Sequence, residues 1–247
     1  MNRAIFLFIF FGLLSCYPVY VKGQEGKLSA GADEAPLNPP DSAYMAGYGQ
    51  NRMSTGVHDN LYVKAVAIAN NDNAVVFVTF DCIGLQQIRD AVEKKIPPSQ
   101  LDVTHIIASS THTHAGPDVI GIWGEDMQHS GVDSAYISFL IHTAADVITR
   151  AWKHRQPVTA RYATTSFGED WVENVSDSAE IDREAAILQL LSSRGKNIAT
   201  LTNFACHPTI LDDKNTLISA DYPSGFYKQM RAKIGGVNLF LQGAIGG

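Results

Sequence analysis

The chain has 247 residues, 45% of them hydrophobic and 18% charged, with a formal net charge of -6. These values fit a globular protein with a sizeable core and exclude an intrinsically disordered chain. No Lys/Arg-rich run is present, which argues against nucleic acid as a partner.

Asn2 and Arg3 precede an apolar run from Ala4 to Leu14 that is too short to span a bilayer comfortably. That is the form of an export signal. Val21-Lys22-Gly23 suits signal peptidase, which makes 1–23 a signal peptide and Gln24 the first mature residue. The alternative is a bacterial lipoprotein box, Leu13-Leu14-Ser15-Cys16, with lipid on Cys16. Either way the expected location is secreted or periplasmic. With Cys16 removed or lipidated, Cys82 and Cys206 remain, and two cysteines make no disulfide framework. Each adjoins an apolar run, so two buried free thiols are expected, with a single bridge as the other reading.

The Pro-containing stretch from Gln24 to Asp41 reads as an extended lead-in. Strand-like runs follow at Leu61–Ala69, Ala74–Phe80, Thr104–Ser109, Val158–Ser166, Ala186–Leu191, Ile198–Ala205 and Asn238–Leu241. Helix-like runs are Gln86–Lys95, Ser134–His154 and Pro223–Ile234. In the second, Ile137, Leu140, Ile141, Ala144, Val147, Ile148 and Ala151 share one helix face, and Asp133 or Ser134 can cap its start. The predicted fold class is α/β (or α+β), mixed β-sheets flanked by helices, with one domain over 24–247. Periodicity does not set the strand order.

The strongest local signal is Thr111-His112-Thr113-His114-Ala115-Gly116-Pro117, directly after a predicted strand. In extended chain, residues two apart project to the same side, so both imidazoles can reach one small centre, and imidazole is a usual zinc ligand. Phe204-Ala205-Cys206-His207-Pro208 places a third histidine at another strand end, because the proline breaks the ladder. Three histidines at two strand ends can converge on one metal with a position left for water. Ser219 or Asp221 can cap the helix after Pro223, and Asp221 can alternatively orient a ligand histidine. Asp81 and Gly56-Val57-His58-Asp59 can lie at the same sheet end as the histidines, but the favoured reading is a buried turn-capping carboxylate and a surface histidine. His105, His129, His142 and His154 lie in no metal-like context, and no glycine-rich phosphate loop occurs.

Ala46-Gly47-Tyr48-Gly49, Gly56-Val57-His58-Asp59, Asp81, the Thr111–Pro117 stretch, Phe204–His207 and Asn215–Asp221 occur in one order along the chain. In that order they resemble the neutral/alkaline non-lysosomal ceramidases, over about Gly31 to Gly247. The resemblance implies a zinc-dependent hydrolase of an N-acyl amide bond, acting on ceramide or a related lipid amide. It implies His112 and His207 as Zn2+ ligands and His114 as the proton carrier. The substrate would be a lipid-like N-acyl amide, which allows for peripheral membrane contact; nothing sets an oligomeric state. Family members carry arginine in a substrate-holding stretch where this chain has Glu173-Asn174-Val175-Ser176-Asp177. Their remaining ligands, a glutamate and a tyrosine, and their serine motif fall beyond Gly247. The chain therefore reads as truncated, and alone it is expected to be inactive. Two other readings stay open: a non-catalytic lipid- or glycan-binding relative, and a zinc hydrolase acting on an ester.

Overall fold

The computed structural model describes residues 28–71, 73–97 and 105–245. The export run over 1–23 and Cys16 lie outside the described residues. The elements in chain order are β1 (Ser29–Pro36), β2 (Gly56–Val57), β3 (Tyr62–Ala69), β4 (Ala74–Phe80), α1 (Ile88–Lys95), β5 (His105–Ser110), α2 (Ser134–Lys153), β6 (Gln156–Ser166), β7 (Glu184–Ser192), β8 (Asn197–Phe204), β9 (Leu217–Ile218), α3 (Tyr222–Ile234) and β10 (Val237–Gln242). One mixed sheet runs in the order β10-β8-β7-β6-β1-β3-β4-β5, and β2 pairs with β9 apart from it. The β4–β5 and β8–β10 ladders are parallel, and the others in the large sheet are antiparallel.

The sheet curls, so that β10 comes against β3, β4 and β5. Between the halves lie Ala30, Val66, Leu190, Ala199, Leu201 and Leu239, all buried. The other face of β3 and β4, with Val63, Ala65, Ala67, Val76, Val78 and Phe80, shares a core with Leu140, Ala144, Val147, Ile148 and Ala151 of α2. The alternation along β3 follows from the two-residue period of a strand buried on both faces. Each fully buried Leu or Ile there contributes about 1.5–3 kcal/mol. Asp133 caps α2, accepting from the amides of Ala135 and Tyr136. Its buried face takes in Tyr136 while Ile137 and Ile141 are only partly covered, a small rotation from the face read off the sequence.

The lead-in expected over Gln24–Asp41 is overturned for its central part. Ser29–Pro36 is a strand inside the sheet, paired with β3 along its whole length. It escapes pattern reading because it lacks large apolar residues. Gly31 sits where α2 crosses, and a Cβ there would lie 2.3 Å from the Ala151 carbonyl oxygen. Asp33 and Glu34 look like loop residues, but Arg150 donates to Asp33 at 2.9 Å and Glu34 takes both Lys64 and Arg231. Lys64 is itself buried, with its ammonium over the rings of Tyr62 and Tyr227. Cys82 and Cys206 are free thiols; Cys82 is buried and Cys206 half-buried.

Candidate metal centre

The parallel pairing of β4 and β5 carries both chain segments to the same end of the sheet. Beyond it, the amide of Thr111 donates to the Phe80 carbonyl at 2.9 Å and that of His112 to the Cys82 carbonyl at 3.0 Å. His112 has φ 67°, in the left-handed region. Such a backbone costs roughly 1–3 kcal/mol for a residue with a Cβ. The two rings therefore do not meet as alternate side chains of a strand, as spacing suggested. β5 ends at Ser110, and a left-handed turn aims His112. Its Nδ1–H donates to the Ile83 carbonyl at 2.5 Å, which leaves the Nε2 lone pair free.

His114 is held differently. Gly47, at φ 99°, lies flat against its ring, and a Cβ there would fall 2.3 Å from the His114 Cγ. Tyr48 meets the imidazole edge-on at a centroid distance of 5.0 Å. The guanidinium of Arg52 lies 4.7 Å from the Tyr48 centroid, and its Nη2 donates to the carbonyls of Ala46 and His114. Thr113 is buried and donates to the Ser219 carbonyl at 2.8 Å. The Nδ1 of His114 is buried without a well-formed hydrogen bond. A weak polar contact from the Gly47 backbone is the smallest of the influences on its titration.

β8 ends at Phe204, three residues before His207 and four before Pro208, so the strand stops ahead of the proline expected to break it. The Tyr222 hydroxyl donates to the Cys206 carbonyl at 2.6 Å. The three imidazoles converge, with ring centroids 5.1 Å apart for His112–His114, 4.7 Å for His112–His207 and 4.8 Å for His114–His207. The Nε2 atoms of His114 and His207 are 2.9 Å apart, and one candidate donor from each histidine lies within 4.8 Å of the others. A tetrahedral ion with metal–nitrogen bonds of about 2.0–2.1 Å spaces its donors by about 3.3 Å, so the His114–His207 pair is already close to that spacing and the widest pair closes by up to about 1.5 Å.

Burial, then the neighbouring His112, His207 and Arg52, pulls the His114 pKa down to about 4. Burial, then His112, also lowers that of His207. Both are therefore neutral at neutral pH, the form a metal requires.

The remaining sequence-flagged residues take supporting places. Asp81 is buried and accepts from the Tyr62 amide at 2.8 Å and the Tyr227 hydroxyl at 3.0 Å. His58 is exposed, while Asp59 accepts from the Ser219 hydroxyl and the Ala220 amide, tying the β2–β9 pair to the His114 segment. Asp221 caps α3 and also accepts from the amides of Ile210 and Leu211, so its carboxylate is engaged with backbone rather than with a histidine. His129 and His154 pair with Asp126 and Asp33, and His142 bonds within its own helix. Glu173 and Asn174, from the stretch without arginine, line a small cavity of about 70 Å3 beside His207. Arg52 was not flagged by any motif. Gly47 and Tyr48 were, but only as part of an ordered series.

The family model for the N-terminal part of neutral/alkaline non-lysosomal ceramidases matches residues 38–225. Neutral ceramidase B of Dictyostelium discoideum is 23% identical over 195 residues, 69% of this chain and 26% of that protein. Neutral ceramidase A of the same organism is 24% identical over 212 residues, 74% of this chain and 29% of that protein. The chain thus spans little more than a quarter of the length of these relatives. The neutral ceramidase of Pseudomonas aeruginosa superposes with a TM-score of 0.74 at 19% identity, covering 87% of this chain and 38% of that one. A ceramidase solved in complex with C2 gives the same TM-score and identity over 37% of its chain.

Proposed function

The chain belongs to the neutral/alkaline non-lysosomal ceramidase family, and on that premise we propose that it carries the histidine side of a zinc site that hydrolyses an N-acyl amide bond, that of ceramide or a related lipid amide. The observation that carries this reading is the convergence of His112, His114 and His207 from two separate strand ends into one set of donors.

We assign His112 and His207 as the zinc ligands and His114 as the proton carrier. A ligating histidine ordinarily donates its other ring N–H to a carbonyl or carboxylate. His112 does so to Ile83, whereas the second nitrogen of His114 makes only a weak contact with the Gly47 backbone, and the assignment of His207 rests on the family resemblance. Zinc would supply Lewis acidity to the scissile carbonyl. His114, neutral at working pH, accepts a proton from the attacking water at Nε2. Water oxygen bonds to the carbonyl carbon, the C–N bond breaks, and the same imidazole returns a proton to the departing amine. A catalytic zinc takes three protein ligands. With His114 reserved for proton transfer, the described residues offer two from this cluster, and a further donor is needed.

Export through 1–23 and peripheral contact with a lipid surface accompany this reading. The non-catalytic alternative draws on one observation, that the Glu173–Asp177 stretch beside the His207 cavity carries no arginine. The test, made in a protein spanning the full length of the relatives because this chain covers little more than a quarter of it, is zinc stoichiometry together with turnover of N-acylsphingosine and a matched ester, for the wild type and His112→Ala, His114→Ala and His207→Ala. Zinc in the wild type, its loss in the first and third variants, and amide turnover lost in all three support the proposal. Equal zinc in wild type and His207→Ala removes the ligand assignment, and zinc without amide turnover favours the alternative.

A further inference from the structure

The two assigned ligands stand far apart in the hydrogen-bonded order of the sheet. His112 follows β5, the last strand, and His207 follows β8, the second, with β7, β6, β1, β3 and β4 between them. Among the described residues no ladder joins β5 to β8. Small changes of twist along the intervening strands add up, so backbone pairing alone leaves the spacing of these two histidines loosely fixed. Strand β10 lies where the curled sheet brings its two ends together, and the Thr79 hydroxyl donates to the Phe240 carbonyl across that gap at 2.9 Å.

At the end of β10, Gln242 touches both histidine-bearing segments. Its Nε2 donates to the Thr111 carbonyl at 3.0 Å and to the Cys206 carbonyl at 2.8 Å, and its Oε1 accepts from the Cys206 amide at 3.1 Å. Thr111 immediately precedes His112, and Cys206 immediately precedes His207. One primary amide thus uses both hydrogens and its oxygen to bridge the residues just before the two ligands. Gly243 completes the seat: its amide donates to the Phe204 carbonyl at 2.9 Å, and a Cβ there would lie 2.9 Å from the Ala205 nitrogen. A second, indirect tie runs through Tyr222, which donates to the Cys206 carbonyl, and through Ser219, which accepts from Thr113.

We infer that Gln242 is a positioning residue that sets the His112–His207 separation, and with it the affinity of the metal centre. This rests on the assignment of those two histidines as ligands. It needs no contact between Gln242 and metal or substrate.

Gln242→Glu keeps the shape and the acceptor for the Cys206 amide but removes both donors and faces two carbonyls with a carboxylate. Gln242→Met keeps approximate volume and removes these three bonds and the one that Oε1 accepts from the Gly243 amide at 3.2 Å. Tyr222→Phe, a milder comparison, removes the donor to Cys206 and a polar contact with Gln242 while leaving the Gln242–Thr111 bond in place. Each protein is titrated with Zn2+ against a chromophoric chelator, its thermal midpoint is measured, and cross-ring NOEs between His112 and His207 are recorded without metal. We expect at least tenfold weaker zinc binding in Gln242→Glu and Gln242→Met, the range for loss of an outer-shell partner, and less than threefold in Tyr222→Phe. We also expect the His112–His207 NOEs to weaken in the Gln242 variants while contacts within β4 and β5 persist. If one Gln242 variant fails to fold, the other decides. Zinc affinity within threefold of wild type in a folded Gln242 variant with intact NOEs overturns the inference. A wild type that binds no zinc refutes the ligand assignment instead, and the NOEs still report whether Gln242 sets the spacing.

Discussion

His112 and His114 are two residues apart and face the same point, yet their surroundings are opposites. The His112 segment is fixed by polar bonds: its amide to Cys82, its ring to Ile83, and a left-handed backbone held between them. The His114 ring is fixed by shape: Gly47 beneath it, Tyr48 at its edge, and Arg52 gripping the backbone behind. The first arrangement exposes one defined lone pair, as a ligand requires. The second leaves a buried imidazole that is easier to deprotonate and whose Nδ1 makes only a weak contact with the Gly47 backbone. Spacing brings two histidines together, and the outer partners then divide the work.

The largest effects should come from deleting ligands. His112→Ala and His207→Ala are expected to weaken zinc binding by more than about 100-fold, beyond the range for outer partners. His114→Ala should weaken it by less than about tenfold while lowering turnover by about 10²–10⁴, the span for a lost acid–base group. Parallel zinc losses in the His112 and His114 variants would erase the contrast and make His114 a third ligand.

The supports come next. Gly47→Ala places a methyl 2.3 Å from the His114 ring at a φ of 99° that L-residues avoid. It should displace that imidazole and destabilise the chain by about 1–3 kcal/mol, with zinc affinity changed far less than turnover. Circular dichroism melts and zinc titrations separate the two effects. Arg52→Met removes the bridge to the Ala46 and His114 carbonyls and the plate behind Tyr48. A loss of turnover of about tenfold is expected, with partial recovery in Arg52→Lys, whose ammonium can still donate to both carbonyls. Unchanged turnover in Arg52→Met would mean that Gly47 and Tyr48 suffice.

Much of this was legible in the sequence, and the parts that were not share a cause. Ala74–Phe80 is a strand over the very residues its Val/Phe run implied, and Asp133 caps α2 as its position suggested. Both are signals carried by adjacent residues. The three histidines were found because strand ends next to Gly-Pro or Pro are local features. β1 was missed because its fitness for the sheet lies in what it meets: Gly31 under α2, and Glu34 between Lys64 and Arg231. Gln242 and Arg52 were missed for the same reason. Their partners are 131 and 62 residues away in sequence, and no periodicity marks them. The left-handed turn at His112 was hidden as well, since its spacing to His114 looked sufficient in an extended chain.

The smallest effect expected is in the pH dependence of the metal-free fold, and it again sets the His114 segment against its neighbour. The His114 pKa falls from its ordinary 6.5 to about 4 in the folded chain. Between those values the unfolded chain binds more protons, so this group makes stability rise with pH. His207, also lowered, adds in the same direction. Asp81 behaves oppositely. Burial raises its pKa from 3.8 to about 6 against the opposing pull of Lys64, the Tyr62 amide and Tyr227. Between those values the folded chain binds more protons, so this group makes stability fall as pH rises. The two windows overlap from about 4 to 6, and the opposed slopes leave the wild type with a shallow dependence there. Asp81→Asn removes the falling contribution and should steepen acid destabilisation between pH 6 and 4.5. His114→Phe removes a rising one and should flatten or invert the profile. Thermal midpoints in chelator at pH 4.5, 5.25 and 6 decide the matter, because the ordinary carboxylates contribute equally to all three proteins. An Asp81→Asn profile parallel to the wild type would show that this carboxyl titrates normally, and the acid sensitivity would then belong to the histidines alone.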